Sequence, residues 1–245
     1  MRQFGLIGRP LGHSASATYF EEKFQREGIT DAHYALYELD EIEQLPQLIA
    51  EHPDLRGLNV TIPYKRDVMR YLDEVSYEAQ NIGAVNCIRR HEDGRLTGHN
   101  TDIEGLRKAL DQLLGDAEPQ EALILGTGGA SQAVQYALME REIGYLLVSR
   151  DLMRGNYTYD NLPCEVVESA KLIINTTPVG MYPHVDEAPR IPYAYVTPEH
   201  FLLDLIYRPE VTDFMDYGMQ RGARVMNGLV MFREQAEASW RIWNE

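Results

Sequence analysis

Glu121-Ala-Leu-Ile-Leu-Gly-Thr-Gly-Gly-Ala-Ser131, continued by Gln132-Ala-Val-Gln-Tyr-Ala-Leu-Met139, changes character twice along its length. Ala122 to Leu125 is a short apolar run between a polar segment and glycines, the pattern of a buried strand. Gly126, Gly128 and Gly129 allow a tight turn and let backbone N–H groups come close to an anion. From Ala130, small and apolar residues at helical spacing carry the chain to about Ile143. A strand, a glycine turn and a helix whose N-terminus faces that turn form the pyrophosphate cradle of a dinucleotide-binding unit. The competing interpretation is an ordinary glycine turn with no ligand, and Ser131 stands where the usual fingerprint has its third glycine. The next strand, Gly144-Tyr-Leu-Leu-Val148, and the following Ser149-Arg-Asp-Leu-Met-Arg154 favour the cradle. Such folds read the adenosine ribose at the end of the second strand, about 20 residues past the glycines. An acid there accepts from a free 2′-hydroxyl, whereas an arginine suits a 2′-phosphate. Arg150, with Arg154 one helical turn later, therefore points to NADP, and the neighbouring Asp151 keeps NAD as the minority alternative.

At 245 residues the chain is long enough for one large domain or two moderate ones. An apolar fraction of 44% and a charged fraction of 25% are those of a soluble globular protein. A net charge of −15 leaves no basic stripe to release counterions, which argues against a nucleic-acid partner. The same charge repels anionic ligands, so any that binds must meet donors arranged locally. Cys87 and Cys164 are too few for a disulfide framework or a zinc site and suit a reducing cytoplasm; no metal is expected. Neither a signal-peptide pattern nor an apolar run near the ~20 residues of a membrane span is visible.

The other candidate residues gather at predicted strand ends. Gln3 to Gly8 reads as a first strand that runs into Arg9-Pro-Leu-Gly-His-Ser-Ala-Ser16. Ser14 or Ser16 could cap the helix expected over Thr18 to Glu27, or the two hydroxyls could donate to a carboxylate. Tyr34 to Leu39 reads as a strand and Ile42 to Glu51 as a helix. Leu58 to Ile62 has strand character and Pro63 ends it. Asn59, Thr61 and Lys65 thus lie at and beyond a carboxyl end, where open α/β sheets bind ligands; taken alone, Lys65 is as readily a solvated lysine. Asn86 lies inside an apolar run and must find partners in backbone or ligand. Asp93-Gly94 turns a hairpin whose second strand ends at Gly98-His-Asn-Thr-Asp102. Thr101 with Glu104 matches a capping box, which would leave Asp102 as a favourable first-turn acid. A helix to about Leu114 leads into the dinucleotide unit. Beyond it come Lys171-Leu-Ile-Ile-Asn175, a turn over Thr176 to Met181, a strand over Phe201 to Ile206, a short strand at Arg224 to Met226 and a helix from Leu229 to Trp243.

In this order the segments resemble the shikimate dehydrogenase family over nearly the whole chain. The pattern runs through Gly12-His-Ser-Ala-Ser16, Asn59-Val-Thr-Ile-Pro-Tyr-Lys65, Gly83-Ala-Val-Asn86 and Gly98-His-Asn-Thr-Asp102. It continues in Gly126-Thr-Gly-Gly-Ala130, Ser149-Arg150, Asn175-Thr-Thr-Pro-Val-Gly-Met181 and Asp204-Leu-Ile-Tyr207, and closes with Asn227-Gly-Leu-Val-Met231 and Gln235. The glycine loop alone is weak; the Asn-Val-Thr-x-Pro-x-Lys segment together with Asn-Thr-Asp is specific.

The resemblance implies an α/β protein of two domains with the active site in the cleft between them. A substrate-binding domain would take residues 1–101 plus 226–245, and a Rossmann NADP-binding domain residues 102–225. It implies a cytoplasmic NADP-dependent oxidoreductase acting on a CH–OH group, the reversible reduction of 3-dehydroshikimate to shikimate on the route to chorismate and aromatic amino acids. Ser14, Ser16 and Tyr207 would hold the substrate carboxylate; Thr61, Asn86, Asp102 and Gln235 its ring hydroxyls; Lys65 and Asp102 would be the catalytic pair. Gly126, Thr127, Gly128, Gly129 and Ala130 would face the pyrophosphate, Arg150 and Arg154 the 2′-phosphate, and Thr176, Leu205 and Gly228 the nicotinamide, with Ser149 also on the cofactor side. The chain departs from the family at Ala17 and Tyr19-Phe20, where a proline and His-Asn are usual, and at Ser149 and Asp151, where asparagine and threonine are usual. The span from Arg150 to Leu172 is shorter than usual, with no room for a full helix. An NAD-dependent quinate/shikimate dehydrogenase and a non-catalytic NADP-binding regulator are the alternatives. The two arginines speak against the first, and the presence of both Lys65 and Asp102 against the second. Monomer and homodimer both remain open.

Overall fold

The computed structural model describes residues 1–12 and 14–245; His13, within the first family segment, lies outside them. Two compact units make up the chain: Met1–Thr101 with Ala236–Glu245, and Asp102–Gln235.

The first unit contains β1 (Arg2–Gly8), α1 (Ser16–Glu27), β2 (Ala32–Glu38), α2 (Leu45–Glu51), β3 (Leu55–Val60), β4 (Glu74–Val75), α3 (Tyr77–Ile82), β5 (Cys87–Arg90) and β6 (Leu96–His99). Its sheet has the order β2-β1-β3-β5-β6-β4. β1 runs parallel to β2 and β3, which demands crossovers, and α1 and α2 supply them. β5 is antiparallel to both β3 and β6. The predicted strand over 58–62 ends at Val60, although the Thr61 N–H still donates to the Ile7 carbonyl (2.9 Å). Asn86, in the apolar run that enters the strand, comes just before β5.

The second unit contains α4 (Asp102–Leu114), β7 (Glu121–Leu125), α5 (Gly129–Glu140), β8 (Gly144–Ser149), β9 (Tyr157–Thr158), α6 (Cys164–Ser169), β10 (Leu172–Asn175), β11 (Phe201–Asp204), α7 (Asp213–Gln220) and β12 (Arg224–Met226). Its sheet, β12-β11-β10-β7-β8-β9, is parallel throughout. The chain winds outward from β7 through β8 to β9, then returns to β10 and winds the other way. The carboxyl ends of β7 and β10 therefore flank the topological switch point, where doubly wound sheets bind ligands. Residues 122–125 and 172–175 are fully buried, as strands covered on both faces must be. Leu123, Leu125, Ile173, Leu202 and Phe214 pack in one cluster beneath them. Between Arg154 and Leu172 there is a two-residue edge strand and a six-residue helix, in keeping with the short span.

The last helix, α8 (Leu229–Asn244), begins in the second unit and ends in the first. A return from residue 226 was expected; Met226 ends β12, which pairs with β11 in the second sheet, and residues 227–235 group with the second unit as well. The end of α8 is anchored by aromatic packing. Phe4 stacks on Trp243 (5.0 Å between centroids) and meets Trp240 edge-on (5.2 Å). The Trp243 Nε1 donates to the Ile88 carbonyl (2.9 Å). Gly57 of β3 lies under that indole, where any Cβ would collide with the ring.

Candidate active site

In the first unit, a chain of hydrogen bonds runs along the carboxyl edge of the sheet. The Tyr34 hydroxyl, beside Ser16, donates to Asn59 Oδ1 (2.9 Å). Burial pushes the Tyr34 phenol far above its ordinary pKa, so it stays a neutral donor. Asn59 Nδ2 donates to the Asn86 carbonyl (3.2 Å) and to Ser239 Oγ (2.9 Å). Ser239 and Thr101 share a hydroxyl–hydroxyl bond (3.1 Å), and Asn86 Oδ1 accepts both the Thr101 N–H (2.6 Å) and its hydroxyl (3.2 Å). This fixes the Asn86 amide with its oxygen inward, while its Nδ2 has no partner among the described residues. The half-buried Lys65 stands on a turn held at two points: its carbonyl accepts the Val85 N–H (2.7 Å), and the buried Tyr64 hydroxyl donates to the Leu39 carbonyl (2.7 Å). Ser16, Thr61, Lys65 and Asn86 thus share one sheet edge.

Neither serine caps α1 in the expected way. The helix starts at Ser16, its cap position is Ala15 with no side-chain bond, and Ser14 Oγ accepts the Ser16 N–H (3.2 Å). Thr101, expected in a capping box, has its hydroxyl on Asn86 and Ser239. Asp102, nearly buried, opens α4 in the second unit. Tyr207 and Gln235 belong to that unit also: Tyr207 stacks on Phe232 (4.7 Å), and Gln235 Nε2 donates to the Phe232 carbonyl (3.0 Å).

At the switch point the three glycines divide the labour unequally. Gly126 has φ +107°, and a Cβ there would meet Thr176 Oγ1 at 2.7 Å. Gly128 has φ −85°, so it is not the turn that requires glycine there. At Gly128 and Gly129 an added Cβ would meet nothing within 4 Å, and the N-terminus of α5 carries no side-chain cap. Open space over the first-turn N–H groups of this 12-residue helix suits a diphosphate. The residues present therefore fit a dinucleotide. Arg150 is exposed with no hydrogen-bond or ion-pair partner among the described residues, whereas Arg154 donates to the Thr127 carbonyl (3.1 Å). Ser149 faces inward: it is buried, pairs with Thr127 Oγ1 (3.3 Å) and accepts the Asp151 N–H (3.2 Å). Asp151 itself accepts the Met153 N–H (3.0 Å), capping the turn over Leu152–Arg154.

Sequence reasoning missed the group beneath the neighbouring turn. Thr176 is tied to β7 through the Leu125 carbonyl, from its N–H (2.9 Å) and its hydroxyl (2.7 Å). Asn175 Oδ1 accepts the Thr177 N–H (3.0 Å) and hydroxyl (2.7 Å), and Asn175 Nδ2 donates to Asp204 Oδ1 (3.0 Å). Burial pushes Asp204 up to about 6 against the downward pull of its hydrogen bonds from Thr212, the Ile206 N–H and Asn175. The advance signals were a polar residue at the end of each of two apolar runs and the family segments that begin at Asn175 and Asp204. No group of three or more His, Cys, Asp or Glu among the described residues could hold a metal, and no helix is long and apolar enough to cross a membrane.

Residues 6–88 match the family model for the shikimate dehydrogenase substrate binding domain. The shikimate dehydrogenase (NADP(+)) of Clostridium beijerinckii is 38% identical over 254 residues, spanning 100% of this chain and 93% of its own. The solved structure of shikimate 5-dehydrogenase from Thermus thermophilus in complex with NADP(H) and shikimate superposes with a TM-score of 0.86 at 33% identity, covering 99% of this chain and 93% of that one. Quinate dehydrogenase from Corynebacterium glutamicum in complex with NAD gives 0.89 at 26% identity, with the same coverage. With the sheet order, the glycine turn and the polar edge already in place, this likeness along the full length settles descent: the chain belongs to the shikimate dehydrogenase family.

Proposed function

We propose that this protein is an NADP-dependent shikimate dehydrogenase that reversibly reduces 3-dehydroshikimate to shikimate. Full-length relatedness to enzymes of that name carries the reading. Ser14, Ser16 and Tyr207 hold the substrate carboxylate, and neutral hydroxyls suit the task because they donate without a charge to desolvate. Thr61, Asn86, Asp102 and Gln235 take the ring hydroxyls, with the Asn86 Nδ2 already turned away from its own network. NADP, when bound, supplies or takes up the hydride. Lys65 stabilises the negative charge that grows on the carbonyl oxygen, and Asp102 orients it as an acceptor. Gly126 to Ala130 receive the pyrophosphate, Arg150 and Arg154 the 2′-phosphate, and Thr176, Leu205 and Gly228 border the nicotinamide. Two free cysteines favour a cytoplasmic setting.

The likeness to an NAD-bound quinate dehydrogenase gives substance to a second reading, an enzyme of broader specificity. Against it, the Asp151 carboxylate is engaged by the Met153 N–H while Arg150 is uncommitted. Initial rates with NADP and NAD, each with shikimate and quinate, decide between them. Turnover confined to shikimate with NADP is expected; comparable rates with NAD or quinate would move the protein to the broader class. Lys65→Ala should lower kcat about 10²–10⁴-fold with NADP binding intact, whereas a non-catalytic regulator would have no turnover to lose.

A further inference from the structure

We propose that Asp204 is the positioning residue for the nicotinamide end of the cofactor site: its buried carboxylate ties the Thr176–Met181 turn to the Leu205 segment, on which Gly228 in turn rests. The proposal rests on the assignment of Thr176, Leu205 and Gly228 to that ring. Asp204 ends β11 beside Asn175, which ends β10, and both are fully buried. Asp204 Oδ1 accepts from Asn175 Nδ2 (3.0 Å) and from the Ile206 N–H (3.0 Å), while Oδ2 accepts the Thr212 hydroxyl (2.6 Å).

Two of the donors lead to segments that border the ring, and the third leads to the start of α7. Through Asn175, whose Oδ1 takes the Thr177 N–H and hydroxyl, the carboxylate orients the turn over Thr176–Met181; Thr177 Oγ1 then accepts the Val179 N–H (3.2 Å). Through the Ile206 N–H it curls the chain at Leu205, whose own N–H donates to the Asn175 carbonyl (3.0 Å). Gly228 completes the set by donating to the Ile206 carbonyl (3.0 Å), and a Cβ on it would collide with the Leu205 carbonyl oxygen. Thr212 fixes the second carboxylate oxygen and also accepts the Met215 N–H (3.4 Å) at the start of α7. A buried carboxylate that joins the Thr176–Met181 turn, the Leu205 segment and the start of α7 holds their mutual geometry, and sub-ångström geometry governs transfer between bound reactants. None of these bonds reaches Gly128, Gly129 or Arg150, so the pyrophosphate and adenosine end should be indifferent to Asp204.

The test compares the unsubstituted protein with Asp204→Asn and with Thr212→Val, which removes only the donor on Oδ2. Three quantities are read: affinity for 2′-phospho-ADP-ribose, which lacks the nicotinamide; nicotinamide emission of bound NADPH; and kcat with shikimate and NADP. In Asp204→Asn the fragment's affinity should change less than about twofold, the emission should move toward that of free NADPH, and kcat should fall at least about tenfold. Thr212→Val should shift the same way by a smaller factor. Unchanged emission and kcat in both variants overturn the proposal, as does loss of fragment and NADPH binding together in both, which marks a general structural role. Failure of the functional reading is separate: a parent protein inactive with shikimate refutes the activity, while the fragment and emission comparison still decides Asp204.

Discussion

Arg150 is a cation that the folded chain leaves to solvent at the end of β8, and an exposed arginine costs nothing to keep. Its worth lies in the bidentate, charge-assisted bonds that a guanidinium makes to a phosphate. Arg150→Gln should therefore weaken NADP binding by about 10- to 100-fold and leave NAD binding within about twofold, as measured by titration with each cofactor. Equal weakening of both would show that Arg150 braces the loop instead. This residue was legible in the sequence because its position follows from counting beyond the glycines. Ser149 beside it was not: a short hydroxyl side chain reads alike whether it meets a ligand or, as here, Thr127 and the Asp151 N–H. Ser16 posed the same difficulty, since it comes near Tyr34 only once α1 packs on β2.

For elements, the strand, turn and helix around Gly126 were readable because every part of that motif is local. What the sequence concealed is that its glycines serve different ends. Gly126→Ala forces a side chain to φ +107° and drives a Cβ against Thr176 Oγ1, so it should cost roughly 1–3 kcal/mol of stability before any ligand is added. Gly128→Ala meets open space at an ordinary φ and should leave unfolding by urea within about 0.5 kcal/mol of the parent. It should nevertheless weaken NADP binding, because the methyl group fills the volume that the pyrophosphate needs. Equal stabilities for the two variants would contradict this division, and so would undiminished NADP affinity in Gly128→Ala. The elements least visible in advance were the short ones. β9 and α6 are two and six residues long, too short for periodicity to register.

On the scale of the whole molecule, each of the two units carries its own sheet and its own buried core, and the hydrophobic runs that build them were plain in the sequence. The point at which the chain re-enters the first unit was hidden, because it falls inside the continuous helix α8 instead of at a turn. Also hidden was the Asn175–Asp204 pair, which joins residues 29 positions apart and needs β10 and β11 to be neighbours. That pair makes the stability of the second unit depend on pH in a definite direction. The folded Asp204 titrates at about 6, against 3.8 for an ordinary aspartate. Below the lower value both folded and unfolded states hold the proton, and burial carries no ionic penalty. Between the two values only the folded state holds it, so stability falls as pH rises, by about 3 kcal/mol in all at 1.36 kcal/mol per unit. Asp204→Asn lacks this titration, so its stability relative to the parent should improve from pH 4 to pH 7, whatever constant offset the lost carboxylate introduces. Both tryptophans, Trp240 and Trp243, lie in the first unit, so their fluorescence follows that unit while backbone circular dichroism follows both. The pH-dependent gain should therefore appear in urea unfolding followed by circular dichroism, in the transition that tryptophan fluorescence does not report. A difference between parent and variant that stays constant across this range would mean that Asp204 is ionised in the fold at the same pH as in the unfolded chain.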